Sequence, residues 1–339
     1  MPAPEVMSVA DDEVVVFRGA EFETHDGLTP DTWVEVDGGA VRTLPRRGQL
    51  LSRIATVNDV HLGETVAGHI DGADGMATFS VELGELPYPE TMSAGAISEI
   101  LALDPEVVVA KGDLTSHGTR EEYDRFLELY GSAFGERLLH VRGNHESFHR
   151  LAAAAWPTQE RQLEGAVVAV LDTSRDGRVN GHLDVDQLDW LDELGARADR
   201  PVLVFGHHPA WTPADGPRSD DTFGIVPDDS DALVQVMGRR SALVGYFAGH
   251  THRNRVVHVP GAPGVPFVEV ACVKDFPGSW AEYRVYEGVI LQVHRRISTP
   301  AALAWSERTR AMFGGAYPDY ALGRLEDRCF AIDTRDIGT

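Results

Sequence analysis

Short motifs spread along this 339-residue chain carry side chains able to bind metal: Asp59-Val-His61, Gly112-Asp113, Gly143-Asn144-His145-Glu146, Gly206-His207-His208 and Gly249-His250-Thr-His252. Of 14 histidines in the chain, His61, His145, His207, His208, His250 and His252 all fall within these motifs. Carboxylate, carboxamide and imidazole donors suit a hard or borderline ion. Asp-x-His sets two ligands on one side of an extended segment, because residues i and i+2 point the same way, and His250-Thr-His252 does so with two imidazoles. If one ion takes Asp59, His61 and His252 while another takes Asn144, His207 and His250, the carboxylate of Asp113 has an oxygen for each. Two ions roughly 3.5 to 4 Å apart lower the pKa of a bound water and clamp the attacking and leaving oxygens of an in-line displacement at phosphorus. Hydrolysis of a phosphoester is the natural reaction of such a set.

His145 follows a ligand without being needed as one. It either faces the substrate, giving a proton or hydrogen bond to a phosphoryl or leaving-group oxygen, or holds a structural place behind the ligands. Of the adjacent His207 and His208, His207 is preferred as ligand, since only one of two neighbours in an extended segment can face the metals. His208 and His117 are candidate substrate contacts, with a place behind the ligands as the alternative for His208.

The elements that must position these residues are equally visible. Apolar runs at 54–57, 107–110, 138–141, 201–205 and 243–247 lead directly into the motifs, the pattern of strands buried on both faces. Open α/β sheets bind ligands at such strand ends. Glycines 112, 143, 206 and 249 allow tight turns or close backbone approach before each ligand. A helix is predicted over 93–103. Another opens with the Thr119-Arg-Glu-Glu122 capping box, a third follows Asp184-Val-Asp-Gln187, and a fourth covers 231–240. Residues 151–155 form an Ala-rich segment and 166–171 a further strand.

Strands at 255–259 and 267–270 and a hairpin of 283–286 with 289–295 predict mixed sheets. Thr299-Pro300 reads as an N-cap followed by Pro at the first helical position, opening a helix over 301–312; the tail from Gly314 carries no pattern. The division expected is a small β appendage over 1–50, with strands at 14–17, 33–36 and 41–44, a catalytic domain over 51–297, and a C-terminal helix and tail over 298–339 packed on it. Two long loops stand out. Residues 63–89, with His69, Asp71 and Asp74, form either a lid or a solvated loop. In residues 209–229, Trp211 and Phe223 are read as core aromatics in preference to pocket walls.

With 43% hydrophobic and 24% charged residues the composition is that of an ordinary globular protein. A net charge of −23 disfavours nucleic acid and anionic membrane as partners, while a metal site can still hold a phosphate locally. Cys272 and Cys329 are too few for a disulfide framework and lack zinc-site spacing. With no signal-like N-terminus and no span-length apolar run, the expected location is the cytoplasm. An oligomer is compatible with all of this.

The ordered set of motifs resembles the calcineurin-like metallophosphoesterase superfamily over roughly residues 51–295. The resemblance implies an α/β fold, a four-layer α/β/β/α sandwich, and two metal ions, drawn from manganese, iron and zinc. Asp59, His61, Asp113, Asn144, His207, His250 and His252 are then the ligands and His145 the catalytic histidine. Within the superfamily the chain is most similar to bacterial cyclic-nucleotide and glycerophosphodiester phosphodiesterases, through GDLTSHGTREEY, the His-His-Pro turn and GHTH. It departs from that pattern at Glu146, where Asp is usual, and at Asn58, where Ser is common. Ser116 stands where purple acid phosphatases place a tyrosine, and Ser116-His117-Gly118 lacks the Arg-Gly of protein Ser/Thr phosphatases. The expected substrate is a small phosphodiester. A phosphomonoester of similar size and a non-catalytic scaffold are the alternatives.

Overall fold

The computed structural model describes residues 3–37, 39–69 and 76–335. Two six-stranded sheets form its centre. The first is ordered Phe330–Asp333, Val289–Arg296, Ser279–Tyr286, Leu50–Val57, Val107–Lys111, Leu138–Val141. The second is ordered Arg255–Val259, Ala262–Glu269, Leu243–Ala248, Val202–Phe205, Val167–Leu171, Thr158–Gln162.

The strand Val107–Lys111 shows how the layers arise. Successive side chains alternate faces: Val107 and Val109 join Ile54, Val168, Phe205 and Tyr283 between the sheets. Val108 and Ala110 join Met92, Phe126 and Trp305 on the outer side. Both faces are covered, hence the unbroken apolar run. Helices Tyr88–Leu103 and Pro300–Thr309 cover the first sheet. Helices Val185–Arg197 and Pro227–Arg239 cover the second. The result is the expected α/β/β/α sandwich.

The strands that lead to the motifs run parallel within each sheet, so their C-terminal ends gather at one edge. The remaining neighbours are partly antiparallel, as in the expected hairpin Ser279–Tyr286 with Val289–Arg296.

Some boundaries differ from the sequence reading. The helix expected from 93 begins at Tyr88, with Pro89 in its first turn. The helix expected from 231 begins at Pro227. Thr119 caps as expected, its hydroxyl accepting from the Glu122 amide at 3.2 Å, whereas Thr299 makes no side-chain cap. Residues 151–155 are irregular. The patternless tail contains helix Tyr317–Leu322 and the strand Phe330–Asp333, which pairs with Val289–Arg296 at the sheet edge.

The N-terminal region forms a three-stranded sheet, Glu5–Val9, Val14–Arg18 and Glu21–His25. A hairpin of Trp33–Val36 with Gly39–Arg42 follows, where a strand at 41–44 was expected. Arg284 ties this region to the first sheet, reaching Asp11 and Asp12 at 2.6 Å each, and Tyr286 donates to Asp11 at 2.8 Å. Burial alone would raise the Asp11 carboxyl. The Arg284 charge and hydrogen bonds from Arg46 and Tyr286 overcome it and hold the group below its usual value.

Candidate metal centre

The chain turns sharply at three of the strand ends that deliver donors. Asp59, His61, Asp113, His250 and His252 all have left-handed φ, of 51°, 51°, 49°, 69° and 56°. Non-glycine residues in this region cost about 1 to 3 kcal/mol each and persist where surrounding bonds over-determine them. Here those bonds are the amides of Asp59 and His61, which donate to Gly112 and Asp113 carbonyls at 3.1 and 3.0 Å, and that of Gly249, which donates to His207 at 2.9 Å. Gly143 is needed for space: a Cβ there would lie 2.1 Å from Asp113 Oδ1.

The sheets are stapled together at this edge. His207 Nδ1 lies 2.8 Å from the Lys111 carbonyl, and buried Lys111 donates to the Ala248 carbonyl at 2.9 Å. Burial pushes the Lys111 ammonium down to about 7. Asn58 Nδ2 donates to Asp59 Oδ2 at 2.5 Å and to the Val270 carbonyl at 3.0 Å. Glu146, fully buried, accepts from the amides of Thr115 and Gly143 at 2.7 Å each.

All the expected ligand positions converge. Asp113 Oδ2 lies 3.5 Å from His61 Nε2 and 3.3 Å from His207 Nε2, while Oδ1 accepts the His145 amide at 3.0 Å. Asp59 Oδ1 is 3.4 Å from His252 Nε2, and Asn144 Oδ1 is 3.0 Å from His207 Nε2. Asp59, His61 and His252 form one cluster of possible donors, and Asp59, Asp113 and His207 another. His61 Nε2 and His250 Nε2 are buried without a hydrogen-bond partner. Such atoms are costly unless something fills their lone pairs, so the donor set fits metal. Burial lowers His61 to about 4 and His250 to about 3, keeping both neutral and ready to ligate.

Residues outside the motifs join the centre. His252 lies within a cluster with Cys272 and Asp275; Cys272 Sγ is 2.9 Å from Asp275 Oδ1, which also accepts from Tyr317 at 2.6 Å. Burial pushes the Cys272 thiol up to about 11, so it is neutral. Both cysteines are unpaired. Lys274 pairs with Glu64 at 2.6 Å. None of these has a spacing that sequence could flag.

A cavity of about 560 Å³ opens over the cluster. His145 stands in its floor, with Nδ1 2.6 Å from the Ser116 carbonyl and its ring 4.3 Å from that of His61. Glu64 and His69 from the first long loop line it too, whereas Asp71 and Asp74 lie outside the described residues. Phe223, read from sequence as core, is 59% exposed and forms a wall, its ring stacked 4.1 Å from that of His250; Trp211 is buried as expected. Two expected contacts are not brought to the cavity. His208 spends one ring nitrogen on the Thr173 hydroxyl at 2.9 Å and the other on the Val179 carbonyl at 3.0 Å. His117 turns its ring to Glu122 at 2.8 Å.

Sandwich and donor set together define a metallophosphoesterase architecture, and comparison with known proteins agrees. The calcineurin-like phosphoesterase family matches residues 52–254, and the chain belongs to that family. It is 25% identical over 48% of its length to a probable cyclic nucleotide phosphodiesterase of Synechococcus, spanning 63% of that protein. A probable glycerophosphodiester phosphodiesterase of Arcobacter nitrofigilis is 26% identical over 44% of this chain and 57% of its own. The chain thus spans less than two thirds of these relatives. In fold it is similar to a dimetal phosphatase from Danio rerio, with a TM-score of 0.56 at 16% identity, covering 74% of this chain and 98% of the other. Among the described residues no helix is long and apolar enough to cross a membrane.

Proposed function

We propose that this protein is a dinuclear metal-dependent phosphoesterase hydrolysing a small phosphodiester of the cyclic-nucleotide or glycerophosphodiester type. The observation that carries this is Asp113 Oδ2, placed between His61 Nε2 and His207 Nε2 at 3.5 and 3.3 Å. Asp59, His61 and His252 would hold one ion, Asn144, His207 and His250 the other, with Asp113 shared. When bound, the ions would lower the pKa of the attacking water and neutralise charge on the phosphoryl group. Nitrogen and oxygen donors of this kind suit manganese, iron or zinc.

The chain's own residues position and protonate. The Lys111 carbonyl, accepting from His207 Nδ1, turns Nε2 toward the centre. The Ser116 carbonyl does the same for His145, leaving Nε2 on the cavity side, where an imidazolium can give a proton to the leaving oxygen. Charge favours a diester. Among the described residues lining the cavity, Lys274 is the lone lysine or arginine, and it is committed to Glu64. A monoester dianion would find little further cationic support, whereas a diester carries one charge. The names of the relatives support the same class, and the chain's net charge of −23 supports a small substrate over nucleic acid. Two unpaired thiols suit the cytoplasm.

Metal-reconstituted protein offered bis(p-nitrophenyl) phosphate and p-nitrophenyl phosphate, with and without EDTA, tests the reading. A chelator-sensitive preference for the diester is expected. Preference for the monoester would replace the diester assignment, and two bound metals with no hydrolysis of either would overturn the activity.

A further inference from the structure

We infer that the cavity takes the organic part of its ester as a planar aromatic ring, with Phe223 and residues 312–320 as the walls that set specificity. This rests on the phosphoesterase reading above. The metal-facing end is polar, and beside Lys274 and Asp275 the rest of the lining includes Phe223, Phe313 and Tyr320, with the nearly buried Met312 and Tyr317. Phe223 rests on the His250 ring and is still 59% exposed; Tyr320 is 46% exposed. Large apolar groups left open beside a polar centre mark a surface that a ligand covers.

The polar atoms among these walls are already committed. Tyr320 donates to the Thr251 carbonyl at 2.9 Å, Tyr317 to Asp275 at 2.6 Å, and Lys274 to Glu64. A polyol ester would find the protons of Tyr317, Tyr320 and Lys274 already spent, and gains little from the apolar ring faces. A flat ring loses no hydrogen bonds against such walls and gains stacking and dispersion. Residues 312–320 also lie outside the 52–254 stretch matched by the family. The stretch matched by the family thus carries the phosphoryl chemistry, and most of these apolar walls come from residues outside it.

Kinetics and binding on the metal-loaded full chain test this. With adenosine 3′,5′-cyclic monophosphate and sn-glycero-3-phosphoethanolamine as substrates, the kcat/KM ratio of aromatic to aliphatic ester should fall on the order of tenfold in Phe223→Ala. The loss should appear in KM rather than kcat, and Tyr320→Ala should move the ratio the same way. An unchanged ratio in both variants, or a wild-type preference for the aliphatic ester, overturns the inference. Calorimetric binding of AMP, phenyl phosphate and glycerol 3-phosphate gives a readout that needs no turnover. Both ring-bearing esters should bind about tenfold more tightly than glycerol 3-phosphate, and a further gain of AMP over phenyl phosphate would make the ring a nucleobase. Equal binding of all three sinks the inference even if the enzyme is active. Ring-selective binding with no hydrolysis of any ester would sink the phosphoesterase reading and leave the aromatic subsite standing.

Discussion

Asp113 accepts the His145 amide through Oδ1 while Oδ2 faces His61 and His207. Removing the carboxylate therefore removes the shared donor and also the acceptor that positions the turn carrying Asn144. In Asp113→Ala, metal analysis should find both ions lost; two tightly bound ions in that variant would refute the shared-ligand assignment. His145 is different, since its ring contributes no expected metal bond. In His145→Ala, metal content should stay at the wild-type value while kcat falls roughly 10²- to 10⁴-fold, the usual worth of a general acid. Unchanged turnover, measured beside metal content, would return His145 to a structural role.

At the scale of elements, strands were more legible than their surroundings. Runs such as Val107–Lys111 are buried on both faces, so composition alone marks them, and the motifs at their ends name the functional edge. The C-terminal walls were illegible: Phe313, Tyr317 and Tyr320 lie in short helical turns with no period to read. They reach the cavity because the strand Phe330–Asp333 and helix Pro300–Thr309 fold the tail back on the first sheet. Phe223 misled for a related reason, since an aromatic in a loop is more often buried than presented. Sequence left His208 either toward the substrate or behind the ligands, and its bonds to Thr173 and Val179 place it behind them.

The strands depend in turn on the packing between the sheets. Phe247 is fully buried there, with its ring 5.3 Å from Phe205 and 5.0 Å from Tyr283. Phe247→Ala should cost about 3 to 5 kcal/mol, seen as a lower denaturation midpoint in guanidinium. A loss under about 1 kcal/mol would mean that this layer is not the close-packed core described.

Across the whole molecule, metal and proton compete for the same nitrogens, and this sets how stability should vary with pH. Without metal, His207 feels two opposing effects. Burial lowers its pKa, but the Asp113 carboxylate outweighs that and pushes it up to about 9, against 6.5 in the unfolded chain. That pair stabilises the metal-free fold fully below 6.5, and its contribution is lost as pH rises through about 9. His61 and His250 run the other way. Lowered to about 4 and about 3 by burial, they favour the fold above 6.5, and this contribution is lost as pH falls toward those values. For these groups the metal-free protein is therefore most stable near 6.5. Metal requires His207 neutral, so binding releases its proton and tightens as pH rises toward 9. Each occupied site adds about 2.7 kcal/mol at a hundredfold excess over Kd. Thermal melts from pH 4.5 to 9, with manganese or with EDTA, should show a gap in Tm that widens from pH 6.5 to 9, with the metal-loaded optimum displaced to higher pH. A gap that stays constant or narrows over that range would show that His207 does not exchange a proton for metal.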